Sequence, residues 1–451
     1  MKNIKSETEV ARIARHARSA ARRLATLSDT RRREVLMAAA DALFEQRAAI
    51  LAANERDCHA ALSAVEQGLM VPALFSRLQT SERGVEEMAA RVRDVARLPD
   101  PVGKVLATIE LDQGLVLYKV SCPLGVIGII FESRPDVVPQ VAALALKSGN
   151  ALLLKGGVEA MQTNQALVSI WRAAYSRFDE IPEDAISLLH TREDVTEMLA
   201  LEDDIDLIIP RGSKEFVHYV ASQSQIPVLG HGEGLCHVYI DAAADLNKGY
   251  DVAFDSKVQY PAACNAAETL LVHQALANKF LPEMIARFQS AGVEVRGCPR
   301  TVPLLPEHSV VAAVEDDWAA EYSDLVISVR VISSIDEAIA HINRYGSKHT
   351  ESIVTEDRNA ASKFMEEVDA ASVYHNASTR FADGFRYGLG AELGISTSKL
   401  HARGPVGLEA LVTYKYKLFG DGHTVKPYAA GERQFKHSSS PVSCSDSPAR
   451  Q

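Results

Sequence analysis

The sequence predicts an α/β fold built on mostly parallel sheets, and three observations predict it. Short, uniformly apolar runs, GVIGIIF at 125–131 and ALLLK at 151–155, read as strands buried on both faces. Helix-patterned stretches separate such runs, which is the rhythm of right-handed βαβ units. Glycine-rich turns follow several of the strands, as expected where a ligand sits at the carboxyl ends of a sheet.

The elements follow in order. To about Leu98 the chain is rich in Ala, Leu, Arg and Glu, and Val35, Leu36, Ala39 and Leu43 recur at helical spacing. Residues 105–120 alternate around Asp112-Gln113-Gly114, the pattern of a β-hairpin. After the strand at 125–131, a helix over 136–147 is expected to stop at Gly149-Asn150. The strand at 151–155 leads through Gly156-Gly157 into a helix that ends near Tyr175. Residues 185–189, 206–209 and 226–229 read as further strands. A second alternating region begins at 236–240 and has strands at 269–272, 325–331, 351–354 and 372–375. One helix there opens on a capping box, Ser334 with Glu337, and ends at Gly346. A final β-like run covers 411–419. The Ser/Pro-rich tail at 429–451 is expected to be disordered, because it has too little apolar surface to offset its ordering entropy.

Composition limits the function classes. The chain has 451 residues, enough for two or three domains, and a formal net charge of −11. No basic block stands out, which argues against nucleic acid. The longest uncharged apolar stretch, 123–131, is too short to span a bilayer, and the N-terminal residues have no apolar signal region, so neither a membrane nor secretion is expected. Six cysteines lie far apart with no CxxC pair, which favours a reducing cytoplasm over a disulfide framework or a zinc site.

Several segments offer chemistry. Cys264 stands among small residues in Tyr260-Pro261-Ala262-Ala263-Cys264-Asn265, on an expected loop. It reads either as a nucleophile or as a small buried hydrophobe. Lys155-Gly156-Gly157, Arg211-Gly212-Ser213 and Gly230-His231-Gly232-Glu233-Gly234 are turns where bare backbone N–H groups approach a phosphate, or merely turns. None is a G-x-G-x-x-G or Walker A motif. Glu132-Ser133-Arg134-Pro135 closes a strand where an anionic substrate would sit. Arg134 there either binds that substrate or pairs with Glu132 or Asp136. His231, His237 and His273 lack metal-ligand spacing and read as structural, so no metal is expected. Cys122 and Cys236 read as core residues.

Six long segments together carry a resemblance. GVIGIIFESRPDV from Gly125, LLLKGG-x-EA from Leu152, IIPRGS from Ile208, HGEGLCHVYID from His231, YPAACNAAETLLVH from Tyr260 and GLGAELGISTSKLHARGPVGLEALVTYKY from Gly388 run in order along over nine-tenths of the chain. The chain thereby resembles the γ-glutamyl phosphate reductase (glutamate-5-semialdehyde dehydrogenase) family, a branch of the aldehyde dehydrogenase superfamily. The resemblance implies two doubly wound α/β domains plus a small β oligomerisation flap. The NADPH-binding domain would take 1–104 and 121–235, with 385–410 returning to it. Residues 236–384 would form the catalytic domain, and 105–120 with 411–420 the flap.

The resemblance also implies roles. Cys264 is the nucleophile that forms a thioester. Lys155 touches the adenosine ribose, Gly212 and Ser213 cover the pyrophosphate, and Glu321 holds the nicotinamide ribose. Ser133, Arg134, Asn265 and Asn376 are the expected substrate-side residues. Three departures from the wider superfamily matter. The water-activating glutamate is missing from Val228-Leu229-Gly230-His231-Gly232, as suits a reductase of acyl phosphates, and Ser133 stands near the place of the usual oxyanion asparagine. Val158 stands where an NAD-preferring member often has an acid, which leaves room for a 2′-phosphate. The implied reaction is NADPH-dependent reduction of L-glutamate 5-phosphate to L-glutamate 5-semialdehyde and phosphate, the second step of proline biosynthesis. The implied partners are the cofactor, the acyl phosphate, glutamate 5-kinase as a functionally coupled enzyme, and further copies of the chain as a dimer or tetramer. A CoA-acylating relative and a non-catalytic dinucleotide-binding scaffold are the alternatives. Release of phosphate or of CoA separates the first, and slow alkylation of Cys264 without turnover marks the second.

Overall fold

The structure, a computed structural model, describes residues 8–70, 72–230, 233–306 and 309–440. Five helices open the chain: Glu9–Leu24, Asp29–Glu45, Arg47–Glu66, Pro72–Leu78 and Glu82–Arg97. Hydroxyl caps set three of the starts, with Thr8, Ser28 and Ser81 accepting the N–H groups of Ala11, Arg31 and Gly84. Their buried faces are rich in alanine, including Ala14, Ala17, Ala39 and Ala40, so the helices pack closely against the sheet beyond.

Strands β1 (Val105–Asp112) and β2 (Leu115–Pro123) form the expected hairpin. The first parallel sheet follows, from β3 (Val126–Phe131), β4 (Ala151–Lys155), β5 (Ile186–Leu189) and β6 (Leu207–Arg211). Its order is β5-β4-β3-β6, and every residue of β3 and β4 is buried. Helices Val137–Lys147 and Met161–Tyr175 cover it. The second sheet is built from β7 (Cys236–Ile240), β8 (Ala267–His273), β9 (Glu294–Gly297), β10 (Val311–Ala312), β11 (Val326–Ile332), β12 (Thr350–Val354) and β13 (Ser372–His375). Its order is β10-β9-β11-β8-β7-β12-β13. A short pair, β14 (Ile395–Ser396) and β15 (Gly404–Pro405), comes next. Then β16 (Val412–Phe419) joins the hairpin, and β17 (Ser438–Ser440) completes a four-stranded sheet in the order β16-β2-β1-β17.

The apolar cores follow the sheets. One core joins the N-terminal helices to β3–β6 and recruits Leu393, Val406 and Leu411 from late in the chain. Two others lie on the faces of the seven-stranded sheet, one around Phe280, Leu281 and Phe288, the other around Tyr239, Ile339 and Phe364.

Three expectations need correction. Residues 226–229 form only an isolated bridge: Ile208 N–H donates to the Pro227 carbonyl, and Leu229 N–H to that of Ile208. Pro227 has no N–H to give, so a ladder cannot extend through it. Part of the tail expected to be disordered is placed. Lys436 N–H donates to the Leu111 carbonyl at 2.8 Å, and Ser438–Ser440 pairs with Thr108–Glu110. The free edge of β1 and the Tyr428–Phe435 ring stack, with centroids 4.3 Å apart, supply what the polar composition lacks. Residues 441–451 lie outside the described residues. At the Ser334 cap, Glu337 turns back to the N–H and hydroxyl of Ser333 rather than to Ser334 itself.

Candidate active site

Strand register assembles the first half of the site. Ile130 pairs with Lys155 and Phe131 with Arg211, so three strands end side by side. Lys155, Glu132-Ser133-Arg134 and Arg211-Gly212-Ser213 therefore share one edge of the first sheet. Ser213 caps the helix Lys214–Gln223 by accepting the Phe216 N–H. A Cβ at Gly212 would lie 2.7 Å from Glu132 Oε2 and 2.8 Å from the Phe216 ring, so only glycine lets the turn pass beneath them. Burial pushes the Glu132 carboxyl up, against the Ser213 N–H and the charges of Arg77 and Lys155.

The second half is the loop ahead of β8. Thr379 Oγ1 donates to the Asn265 carbonyl at 2.7 Å, and Asn265 Nδ2 donates to the Ala382 carbonyl at 2.8 Å. Cys236 Sγ donates to the Cys264 carbonyl at 3.4 Å. A Cβ on Gly234 would stand 2.0 Å from that same carbonyl oxygen, so the neighbouring chain presses directly on the loop. Cys264 is thus held from several sides, and the residue as a whole is half-buried. Burial, then the carboxylates of Glu321 and Glu392, push this thiol up to about 12, and Arg380 opposes them. Glu392, whose Oε2 accepts the Gly384 N–H at 2.8 Å, is itself pushed up to about 7, first by burial.

A cavity of about 680 Å³ brings the two halves together: Cys264, Arg134, Gly212, Ser213 and Glu321 all line it. A second cavity, of about 590 Å³, holds Lys155, Ser133, Val158 and Arg192. Leu74 and Glu132 line both, so the two cavities adjoin. Glu321 is positioned from behind. Buried Lys257 meets buried Glu268 at 2.5 Å, and Glu268 Oε1 accepts the N–H of Ser323, two residues beyond Glu321.

Three expected site residues are placed elsewhere. Ser133, expected beside the thiol, lines the second cavity, and its N–H and hydroxyl both donate to Glu159 Oε1, at 2.7 and 2.6 Å. Its backbone is left-handed, with φ 35°. Asn265 spends its amide N–H on Ala382 and lines neither cavity. Asn376 also lines neither. Its amide accepts the Thr355 N–H and donates to the Thr355 carbonyl, which makes it a brace between β13 and the chain after β12.

Arg134 lines the cleft and also stands 3.8 Å from Asp136, so both of its readings are represented. His231 lies outside the described residues. His237 is buried against Glu351, its Nδ1 2.9 Å from the carboxylate, and His273 caps the helix Gln274–Ser290.

In the sequence Arg211 and Gly234 stand only as members of glycine-rich turns, and neither Glu392 nor the Lys257–Glu268 pair is singled out. A charged residue directly after an apolar strand was a usable signal for Arg211. Glu392 sits in a glycine-rich stretch with no periodicity, and Lys257 and Glu268 are 11 residues apart with nothing to mark them as partners.

Comparison with known proteins gives a consistent picture. The model of the aldehyde dehydrogenase family matches residues 3–301. A γ-glutamyl phosphate reductase of Natronomonas pharaonis is 53% identical over 422 residues, covering 93% of this chain and 95% of that protein. The crystal structure of γ-glutamyl phosphate reductase from Thermotoga maritima, 42% identical, superposes with a TM-score of 0.89 over 92% of this chain and 100% of that one. An acetylating aldehyde dehydrogenase from Geobacillus thermoglucosidasius, 17% identical with a TM-score of 0.63, covers 92% of this chain and 97% of its own and shares the fold.

Proposed function

The chain belongs to the aldehyde dehydrogenase family and, within it, to the γ-glutamyl phosphate reductases, an oxidoreductase branch that serves proline biosynthesis with a nicotinamide cofactor; from that premise we propose how its residues divide the work. The substrate is L-glutamate 5-phosphate and the product L-glutamate 5-semialdehyde. The observation that carries this reading is the single cleft in which Cys264 faces the Gly212-Ser213 turn and Glu321.

Cys264 forms the covalent bond. Its sulfur adds to the acyl carbon, the C–O bond to the phosphoryl group breaks, and the electron pair leaves with phosphate, which gives a thioester. The cofactor, when bound, supplies the hydride that brings this thioester to the aldehyde level. Collapse of the thiohemiacetal returns an electron pair to sulfur and frees the semialdehyde. Gly230 stands near where the wider family has its water-activating glutamate, which suits an acyl intermediate that must survive until it is reduced, although Glu233 also lines the cleft.

The second cavity fits the adenosine half of the cofactor, with Lys155 on the ribose and Gly212 and Ser213 on the pyrophosphate. Val158, exposed where an NAD-preferring member has an acid, and Arg192, which lines the same cavity, support NADPH over NADH by favouring a 2′-phosphate, while the neighbouring Glu159 carboxylate is engaged by Ser133. Residues 236–384 then serve catalysis. The flap edge β16 exposes Tyr414, Tyr416, Leu418 and Phe419, which supports a homo-oligomer of the chain, and an upstream kinase supplies the labile acyl phosphate.

The test runs the reaction backwards. The protein should reduce NADP⁺ with glutamate semialdehyde only when phosphate is present, and Cys264→Ser should abolish this while NADPH binding persists. Turnover that requires CoA instead of phosphate would assign the chain to the CoA-acylating branch.

A further inference from the structure

Arg211 is the last residue of β6, and its side chain reaches the cleft that holds Cys264. Two observations set it apart. Its Nη1 is buried and finds no acceptor among the described residues. Arg134 stands close enough to repel its charge and lines the same cleft. A guanidinium donor buried without a partner is costly, and two neighbouring guanidinium groups repel each other. Asp136 and Glu392 offset part of the repulsion, and a doubly charged anion between the two forks would offset the rest and give Arg211 Nη1 its acceptor.

We propose that Arg211, together with Arg134, forms the subsite for the phosphoryl group of the acyl phosphate. This rests on the reading that the substrate is an acyl phosphate. The two ends of that substrate differ in charge. The amino-acid end carries one carboxylate and one ammonium, which suits a mixed lining. The phosphoryl end carries two negative charges, which suits two guanidinium forks.

The other guanidinium near the thiol, Arg380, does not line this cleft. Its Nε donates to Gln259 at 2.9 Å, and it stacks 5.8 Å over Tyr260. Arg211 feels the charges of both Cys264 and Glu392, so it lies at the reacting end of the cleft rather than at the adenosine end. As the acyl C–O bond breaks, the electron pair moves onto the phosphate oxygen. Arg211 stabilises that charge where it accumulates and thereby lowers the barrier to thioester formation.

The reverse reaction isolates this subsite, because phosphate is then a separate substrate. In Arg211→Lys the charge stays and the fork is lost. The KM for inorganic phosphate should rise about tenfold or more, as for loss of a charge-assisted hydrogen bond, while those for NADP⁺ and glutamate semialdehyde stay within about twofold. A matching rise for NADP⁺ would move Arg211 to the cofactor pyrophosphate. A rise for the semialdehyde would move it to the α-carboxylate, and no change would leave it structural; each of these overturns the proposal. Wild-type protein that shows no phosphate-dependent turnover would instead overturn the reaction assigned above.

Protection of Cys264 against iodoacetamide by phosphate gives a second readout that needs no turnover. Phosphate should slow alkylation of the wild type, and Arg211→Gln, checked for its melting temperature and NADPH binding, should need about tenfold more phosphate for the same protection. Equal protection in both proteins would overturn the proposal.

Discussion

Cys264 works against its own surroundings. Burial and the carboxylates of Glu321 and Glu392 favour the neutral thiol, so at neutral pH little thiolate is present before substrate and cofactor bind. Below a thiol pKa near 12, each pH unit should raise the iodoacetamide rate about tenfold with no plateau below pH 9. Glu392→Gln removes a negative charge and so should lower the thiol pKa. The alkylation rate should therefore increase at pH 8, where Glu392 is ionised. It should hardly change at pH 6, because Glu392, pushed up to about 7, is already mostly neutral there. A rate that levels off by pH 8, or one that Glu392→Gln leaves untouched, would contradict this account. In the sequence Cys264 reads either as a nucleophile or as a small buried hydrophobe, and the resemblance, not the loop, favours the first. Arg211 is marked only by its place after an apolar strand and Glu392 not at all, since a charge shows its neighbours only once the chain has folded.

At the scale of elements, the site depends on where strands end and what holds their ends. The carboxyl ends of β3, β4 and β6 come together through parallel register, and apolar strand runs announced that arrangement. The same apolar criterion misread residues 226–229, where Pro227 allows only one bridge. It also missed β9, whose Glu294 and Arg296 break the apolar run of a short edge-side strand. Behind β8, the Lys257–Glu268 pair ties the cleft loop to the sheet, with side chains 0% and 1% exposed. Lys257→Met would leave Glu268 buried without its cation, a change that costs about 3–5 kcal/mol. Glu268 is already pushed up to about 7, chiefly by burial, and losing Lys257 raises it further. An acid with a raised folded pKa favours folding at low pH, and that advantage is lost as pH rises through it. The variant should thus lose more melting temperature at pH 8 than at pH 5.5. Its KM for NADPH should also rise, because a Glu268 without its cation is less firmly placed and holds the Ser323 N–H, and so the loop that carries Glu321, less tightly. Equal destabilisation at both pH values would show that Glu268 is not the group left exposed to this cost.

At the scale of the whole molecule, the fold class was legible as a rhythm of strands and helices, but strand order was not. Nothing in local composition places β3 between β4 and β6, or brings 393–411 back to the first core; only the long collinear resemblance implied that return. The tail shows the same limit from the other side. Its composition argues for disorder, yet an unpaired strand edge elsewhere in the molecule gives it a place. Without Ser438–Ser440, β1 would be the outer strand of the flap, with one row of backbone groups open to water. Tyr428 also donates to Asp112 at 2.9 Å, at the turn of the hairpin. Truncation after Ala429 should therefore leave kcat and the NADPH constant unchanged, because no residue lining the cleft belongs to this four-stranded sheet. It should still speed hydrogen exchange in β1, whose outer backbone groups lose their partners, while exchange in β2, flanked by β1 and β16, stays slow. Exchange in β1 that is the same with and without the tail would show that the strand Ser438–Ser440 does not protect it in solution.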